Sequence, residues 1–331
     1  MDSTEVNKIF QDFSQLRAIV IGDAMIDTYL WGKVERLSPE APVPVVSVTK
    51  RETRLGGAAN VSRNIQALGA TPILFSVIGN DDIGKKFKKL IEKRELSSNG
   101  TFVDSTRSTT VKNRIISDGK QIARVDEEST EYISDEMEKI LIDAITNEIN
   151  NNKVDVIVFV DYDKGVITPK LFETVNKLAQ KKGIPTTVDP KRRNFRIYKN
   201  VSLFKPNFKE LVDGTGKALT KNDLEGIKLV AEEFKKEQNL KLIFVTLSEL
   251  GVFISNGVKK QYYPAVIRYI ADVSGAGDTV ISVASLALAI GLPPETMALL
   301  SNLAGGLVCE ELGVVPIDKN RLEKEMKSQK I

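Results

Sequence analysis

Residues 156–190 read VIVFVDYDKGVITPKLFETVNKLAQKKGIPTTVDP. Val156–Val160 is apolar at every position, as in a strand buried on both faces. Asp161-Tyr-Asp-Lys-Gly165 turns the chain, Pro169 to Lys182 reads as a helix, and Thr186–Val188 is a second strand ending at Asp189-Pro190. Strand, helix and strand in that order form a βαβ unit, which requires a parallel sheet in an α/β fold.

The alternation continues outward. Upstream lie an amphipathic helix (Asp2 to Gln15, with Val6, Ile9, Phe10 and Phe13 on one face), a buried strand Arg17–Gly22, a helix Val61–Leu68, a strand Thr71–Ile78 and a basic helix ending near Glu95. Glu131–Asn150 is a further helix. Downstream lie a strand end at Leu203-Phe-Lys-Pro-Asn207, a strand Leu242–Thr246, a hairpin around Asn256-Gly257 and a strand-like run Gln261–Tyr269. Apolar helices follow from Val280 to about Val308, then a charged surface helix from Lys319. Two excursions interrupt this order. Val43–Thr53 alternates apolar and polar residues behind Pro42 and Pro44, which suits an edge strand. Thr109–Ile116 and Lys120–Val125 flank Ser117-Asp118-Gly119, a hairpin signal. The expectation is one domain over residues 1–331, with a small β-lid built from the excursions near 36–54 and 109–125.

The chain has 331 residues, 42% of them hydrophobic and 27% charged, with a net charge of +3. That charge is too small to argue for nucleic acid or membrane binding. The acidic, polar N-terminus lacks an apolar signal core, and no apolar run is long and clean enough to span a bilayer, so a cytoplasmic location is expected. The single cysteine, Cys309, fits a reducing compartment and reads as core packing. Histidine is absent, which excludes Ser-His-Asp and Cys-His sites and histidine-ligated metals. Acid–base chemistry therefore falls to Asp, Glu, Lys, Tyr or Cys.

Asp272-Val-Ser-Gly-Ala-Gly-Asp-Thr279 enters the first of the apolar helices. Gly275, Ala276 and Gly277 sit where unpaired amides and the helix dipole favour an anion. Asp278 in the first turn would repel that anion unless it had a chemical task, and accepting a proton from an attacking hydroxyl fits. The stretch alone also admits a helix cap and a plain turn. Asp23 and Asp27 follow the Arg17–Gly22 strand, where α/β sheets bind ligands, and their carboxylates could accept from sugar hydroxyls. Gly56 and Gly57 permit close backbone approach, with Asn60 offering a donor and an acceptor. Lys112 and Arg114 share a face of the hairpin and, with Arg124, could hold a substrate phosphate or could serve solubility. Lys191, Arg192, Arg193 and Arg196 follow the Asp189 strand as a basic cluster. Asn207 and Glu210 would share a helix face, either to organise Mg²⁺ through its waters or as a capping box.

Assembled, these residues resemble the ribokinase-like, or phosphofructokinase-B, carbohydrate kinases over nearly the whole chain. Gly56-Gly57 with Asn60, Asn207 with Glu210, and Asp272 to Asp278 as D-x-x-G-A-G-D match the family's three motifs in order. Gly22-Asp-Ala-Met-Ile-Asp27, Arg36-Leu-Ser-Pro-Glu-Ala-Pro-Val-Pro-Val45, Asp161-Tyr-Asp-Lys-Gly165 and Val188-Asp-Pro-Lys191 resemble the family's heptose 7-phosphate kinases. The resemblance implies a three-layer α/β/α core with a mainly parallel sheet and a β-lid that pairs into a homodimer. It implies transfer of phosphate from ATP to the anomeric hydroxyl of a sugar phosphate, with Mg²⁺ and, as a further candidate, a monovalent cation. Carried over, Asp278 is the base and Gly275, Ala276 and Gly277 hold the developing charge. Asp23, Asp27, Gly56, Gly57 and Asn60 grip the sugar, and Lys112, Arg114, Arg124, Lys164, Arg192 and Arg193 are candidates for its phosphate. Asn207 and Glu210 organise Mg²⁺ and ATP, with Thr246, Ser248, Gly251, Gly275 and Gly277 near the nucleotide. The chain ends soon after the matching portion, so a separate adenylyltransferase is expected to act downstream. The alternatives are a kinase for another sugar, sugar phosphate or nucleoside, and a non-catalytic sugar- or nucleotide-binding protein on the same fold.

Overall fold

The structure, a computed structural model, describes residues 2–329. In chain order its strands are β1 (Arg17–Gly22), β2 (Ala24–Leu37), β3 (Pro44–Gly57), β4 (Thr71–Gly79), β5 (Thr101–Asp104), β6 (Val111–Ser117), β7 (Lys120–Glu127), β8 (Val156–Val160), β9 (Thr186–Asp189), β10 (Leu203–Phe204), β11 (Leu242–Thr246), β12 (Val252–Ser255) and β13 (Lys260–Tyr263). The α-helices are α1 (Ser3–Phe13), α2 (Ala58–Ala67), α3 (Asp82–Lys93), α4 (Asp135–Asn151), α5 (Pro169–Lys182), α6 (Phe208–Thr215), α7 (Leu224–Glu237), α8 (Ala276–Ala289), α9 (Pro294–Val308) and α10 (Lys319–Ser328).

Nine strands form the main sheet in the order β13-β12-β11-β10-β9-β8-β1-β4-β5. Its pairs are parallel from β11 through β5, and the β11–β12 and β12–β13 pairs are antiparallel, so β12 alone is reversed. The all-apolar strand β8 has a direct cause. Val156, Val158 and Val160 enter one core with α1, α2, α8 and α9, while Ile157 and Phe159 enter a second core with α4, α5 and α7. Helices cover both faces, so neither set of side chains can be polar. The layering is α/β/α. Among the described residues, no helix is long and apolar enough to cross a membrane.

The second sheet has four strands in the order β3-β2-β6-β7. Its turn at Asp118-Gly119 has φ of 50° and 74°, the left-handed pair that an Asp-Gly hairpin favours. This sheet is larger than the excursions at 36–54 and 109–125 suggested. β2 starts at Ala24 and pairs with β3 from Ala24–Gly57 out to Leu37–Pro44. Its first six residues are buried and the rest emerge, so the strand lacks the regular alternation that marks a half-buried strand. Two further boundaries differ from expectation. The run to Tyr269 is strand only to Tyr263, beyond which Ile267 and Tyr269 are exposed, and α8 begins at Ala276 rather than Val280.

Candidate active site

The carboxyl ends of β1, β8, β9, β10 and β11 carry Asp23, Asp161, Asp189, Lys205 and Thr246, the edge where open α/β sheets bind ligands. The N-terminus of α8 adds Asp278. Gly275 is its N-cap at φ 83°, a conformation open to glycine and strained for other residues. The N–H of Ala276 bonds back to Val273 at 3.3 Å, whereas the Gly277 and Asp278 N–H groups have no protein acceptor among the described residues. A Cβ placed on Gly277 would make only ordinary contacts, 3.7 Å from Lys205 Nζ and 3.9 Å from Asp189 Oδ2. What this glycine keeps clear is therefore space beside two open amides and a lysine. That space fits a phosphoryl group.

Asp278 does not cap α8. Its carboxylate is buried and accepts from the Asn60 side-chain amide at 2.7 Å and from the Tyr162 hydroxyl at 2.7 Å. Burial pushes its pKa up to about 6, against the lowering effect of those two donors. Each oxygen takes one bond and keeps capacity for another, so a third hydroxyl can still donate to it. A carboxylate that titrates just below neutrality is suited to accept a proton.

Asp23 has a different set of partners from the sugar hydroxyls expected of it. It accepts from the backbone N–H groups of Tyr162 at 2.8 Å, Lys164 at 3.1 Å and Val166 at 3.0 Å. Asp27 forms a buried ion pair with Arg114, and Gly56 lies so close that a Cβ there would meet Asp27 Oδ2 at 2.0 Å. Gly57, at φ 58°, is the N-cap of α2, whose first residue Ala58 donates its N–H to Asp23 O.

Asn207 and Glu210 make the capping box of α6, with both reciprocal bonds at 2.8 Å. The remaining oxygen of Glu210 pairs with Lys191, whose ammonium also lies 5.2 Å from the Tyr162 ring centre. Burial pushes the Lys191 ammonium towards neutrality, but Asp189 and Glu210 outweigh it and its pKa is raised. Lys205 and Asp189 pair at 3.1 Å and are both nearly inaccessible. An isolated bridge between Asn207 and Thr246 brings β10's end beside β11's. Ser248, at φ 55°, and Gly251 form the next turn, with Ser248 exposed and Gly251 packed on the Tyr263 carbonyl. Among the described residues, no group of three or more acidic or cysteine side chains could cage a metal. The donor set fits Mg²⁺ only as a water-clad ion shared with phosphates, because Glu210 offers one carboxylate oxygen and that oxygen is already on a lysine.

The basic residues separate into two groups. Lys112 pairs with Asp126 at 2.9 Å and Glu128 at 3.4 Å, and Lys164 pairs with Glu128 at 2.8 Å. Arg114 is buried on Asp27, with its guanidinium 5.4 Å from the Tyr29 ring centre. Arg124 pairs with Asp126 at 3.0 Å and is half exposed. Arg192 is exposed, and Arg193 bonds Thr130 O and stacks 5.0 Å from the Tyr132 ring centre. Tyr162, Asp189, Lys205 and Arg107, whose guanidinium bonds Lys164 O, were not nominated from sequence. Asp189 ends a core strand, Lys205 directly follows one and Tyr162 lies two residues past one, so the strand-end rule that picked Asp23 reaches all three.

The profile of the pfkB family carbohydrate kinases matches residues 15–320. The chain is 37% identical over 328 residues to the bifunctional protein HldE of Syntrophotalea carbinolica, covering 98% of this chain and 66% of that protein. It is 38% identical over 317 residues to the protein of the same name from Sulfurimonas denitrificans, covering 96% and 65%. The chain thus spans just under two thirds of these relatives' length. Among solved structures, Escherichia coli phosphofructokinase-2 in complex with substrates and products aligns with a TM-score of 0.78 at 18% identity, over 95% of this chain and 98% of that one. Thermotoga maritima ribokinase aligns with a TM-score of 0.70 at 19% identity, over 95% and 99%.

The core has the ribokinase-like fold, and the molecule is a phosphotransferase with an alcohol group as acceptor. The chain belongs to the pfkB family of carbohydrate kinases.

Proposed function

We propose that this kinase transfers phosphate from ATP to the anomeric hydroxyl of D-glycero-β-D-manno-heptose 7-phosphate, giving the 1,7-bisphosphate as a precursor of ADP-heptose for lipopolysaccharide core synthesis. The observation that carries the reading is the juxtaposition at the start of α8: a buried carboxylate, Asp278, beside open amides of the Gly275–Gly277 turn. The substrate class rests on the S-P-E-A-P-V-P-V and D-Y-D-K-G stretches described above, on the similarity to the HldE proteins, and on the basic groups Lys112, Arg114 and Lys164.

In this reading Asp278 accepts the proton of the anomeric hydroxyl as its oxygen attacks the γ-phosphorus, and the Gly277 and Asp278 amides with Lys205 face the charge gathered on the transferred group. Asn60 and Asp27 orient the sugar. Lys112, Arg114 and Lys164 exchange their carboxylate partners for the 7-phosphate, with Arg124, Arg192 and Arg193 at the rim. Asn207, Glu210 and Lys191 lie where the ATP phosphates and water-clad Mg²⁺ would be organised. Mg²⁺ supplies charge neutralisation of the phosphates when bound. Thr246, Ser248 and Gly251 flank the nucleotide. A monovalent cation belongs to the same proposal, since a related phosphofructokinase-2 has been solved in complex with potassium. So do a single kinase domain closed by the four-stranded sheet, a homodimer formed through that sheet, a cytoplasmic location and a separate adenylyltransferase downstream.

The test is ADP release with ATP and Mg²⁺ across a sugar panel: the heptose 7-phosphate, fructose 6-phosphate, ribose and adenosine, with wild type and Asp278→Asn. Turnover on the heptose 7-phosphate alone, lost in the variant, supports substrate and base together. Preference for a neutral sugar would refute the phosphate role of the basic groups.

A further inference from the structure

The loop 161–166 is held more tightly than a connection requires. Asp23 takes three of its backbone N–H groups, all on a carboxylate that is almost inaccessible. Asp161, at the loop's start, accepts from Tyr198 OH at 2.5 Å, Asn194 Nδ2 at 3.0 Å and the Asp163 N–H at 2.8 Å. Arg107 also donates to Lys164 O. Asp163 and Gly165 both have positive φ, 57° and 83°, so this tethering outweighs a strained backbone at Asp163. The loop delivers Tyr162, whose hydroxyl lies 2.7 Å from Asp278 Oδ1 and whose ring faces the Lys191 ammonium.

Tyr O–H is a donor that remains protonated at neutral pH, and burial beside Asp278 raises its own pKa further. It therefore donates to the ionised carboxylate throughout the working range. We propose that Tyr162 is the positioning residue of the base, fixing the Asp278 carboxylate for proton acceptance, and that Asp23 anchors Tyr162 rather than the sugar. The proposal rests on the reading of Asp278 as the base. Asn60 supports the other carboxylate oxygen from α2, so the base is held between two donors. The charged groups that also face it are Asp189 and Lys205, from the ends of β9 and β10, and Lys191 beyond Tyr162.

Tyr162→Phe keeps the ring and removes the donor. Losing a hydrogen bond to a charged group should move the acid limb of kcat/KM for the heptose 7-phosphate up by about one pH unit and lower kcat about tenfold, with KM for ATP unchanged. A merely structural role would lower Tm without moving that limb, and an unmoved limb overturns the proposal. Asp23→Asn should lower kcat with KM for the sugar unchanged. A raised sugar KM with kcat preserved would return Asp23 to the sugar and overturn the anchor role. A readout independent of turnover is the ¹³C carboxyl titration of Asp278, assigned by its loss in Asp278→Asn. It should shift upward in Tyr162→Phe even if the panel reveals another substrate, so a failed substrate assignment and a failed positioning role remain distinguishable. If Tyr162→Phe does not fold, the Tyr162 hydroxyl proton of the wild type is read by NMR. Slow exchange and a downfield shift that collapse in Asp278→Asn support the contact, and a resonance indifferent to Asp278→Asn refutes it.

Discussion

The start of α8 and the four-stranded sheet both gather charge, but they balance it differently. At α8 the polar groups are built in and left partly open. Among the described residues two amides lack acceptors, and Asp278 accepts from neutral donors, Asn60 and Tyr162. On the smaller sheet the cations proposed for the phosphate already have carboxylates: Arg114 has Asp27, and Lys112 has Asp126 and Glu128, the latter shared with Lys164 of the loop after β8. The first arrangement is preorganised and needs no partner to leave before it acts. The second is an exchange, in which an arriving phosphate must compete with internal carboxylates. Substitutions at α8 should therefore act on kcat, and substitutions on the smaller sheet on KM.

The largest effect should come from Asp278→Asn. Loss of a general base lowers kcat by roughly 10²–10⁴-fold. The same change should stabilise the fold at neutral pH. Because burial raises the folded pKa of Asp278 to about 6, the folded state binds this proton more tightly than the unfolded chain does. That contribution is fully present in acid and is lost as pH rises through the folded value. Asn carries no charge to bury, so Asp278→Asn should gain on the order of 2 kcal/mol at neutral pH and little in acid. Paired melting curves at the two conditions check the sign, and a Tm that falls equally at both would contradict it.

Next is Gly277→Ala. Inside a helix alanine is favoured over glycine by about 1 kcal/mol, and the new methyl meets nothing closer than 3.7 Å. Stability should hold or rise. The methyl nevertheless enters the space beside the open amides, and kcat should fall by about 10²-fold or more. An active Gly277→Ala would mean that the transferred group sits elsewhere.

The same contrast explains what could be read in advance. The main sheet was legible because its strands are buried on both faces and its helices carry local start signals, such as Thr168-Pro169 before α5. The GAGD turn was legible because glycines and an acid in a first turn have few other uses together. β2 was not, because it begins in the core and ends in solvent, so no single period describes Ala24–Leu37. Nor could residue types foretell whom the charged groups would meet. Asp23 receives three loop amides, and Glu210 has Lys191 on the oxygen that its capping bond leaves over. Those partners come from other strand ends more than a dozen residues away in sequence.

Lys112→Ala tests the exchange directly. It should raise KM for the sugar phosphate about tenfold and leave kcat and KM for ATP nearly unchanged, since a charged hydrogen bond contributes about 1.5–3 kcal/mol. A matching loss in kcat would place Lys112 with the preorganised groups instead.

The smallest and most discriminating effect should come from Asp126→Asn. Burial pushes the Asp126 carboxyl up, but Lys112 and Arg124 outweigh it and hold it below the usual range, so it stays ionised and competes with an incoming phosphate at any working pH. Neutralising it leaves Lys112 with Glu128 at 3.4 Å, the longer of its two pairs, and releases Arg124, which is half exposed. Solvent screens such pairs, so the stability lost should stay within about 1 kcal/mol. KM for the sugar phosphate should instead fall, by roughly two- to threefold, because the phosphate then displaces one carboxylate rather than two. KM for an unphosphorylated analogue of the same sugar should not change. If KM rises for both, Asp126 shapes the sugar pocket itself, and the cations of the smaller sheet are structural pairs rather than a reserve of phosphate ligands.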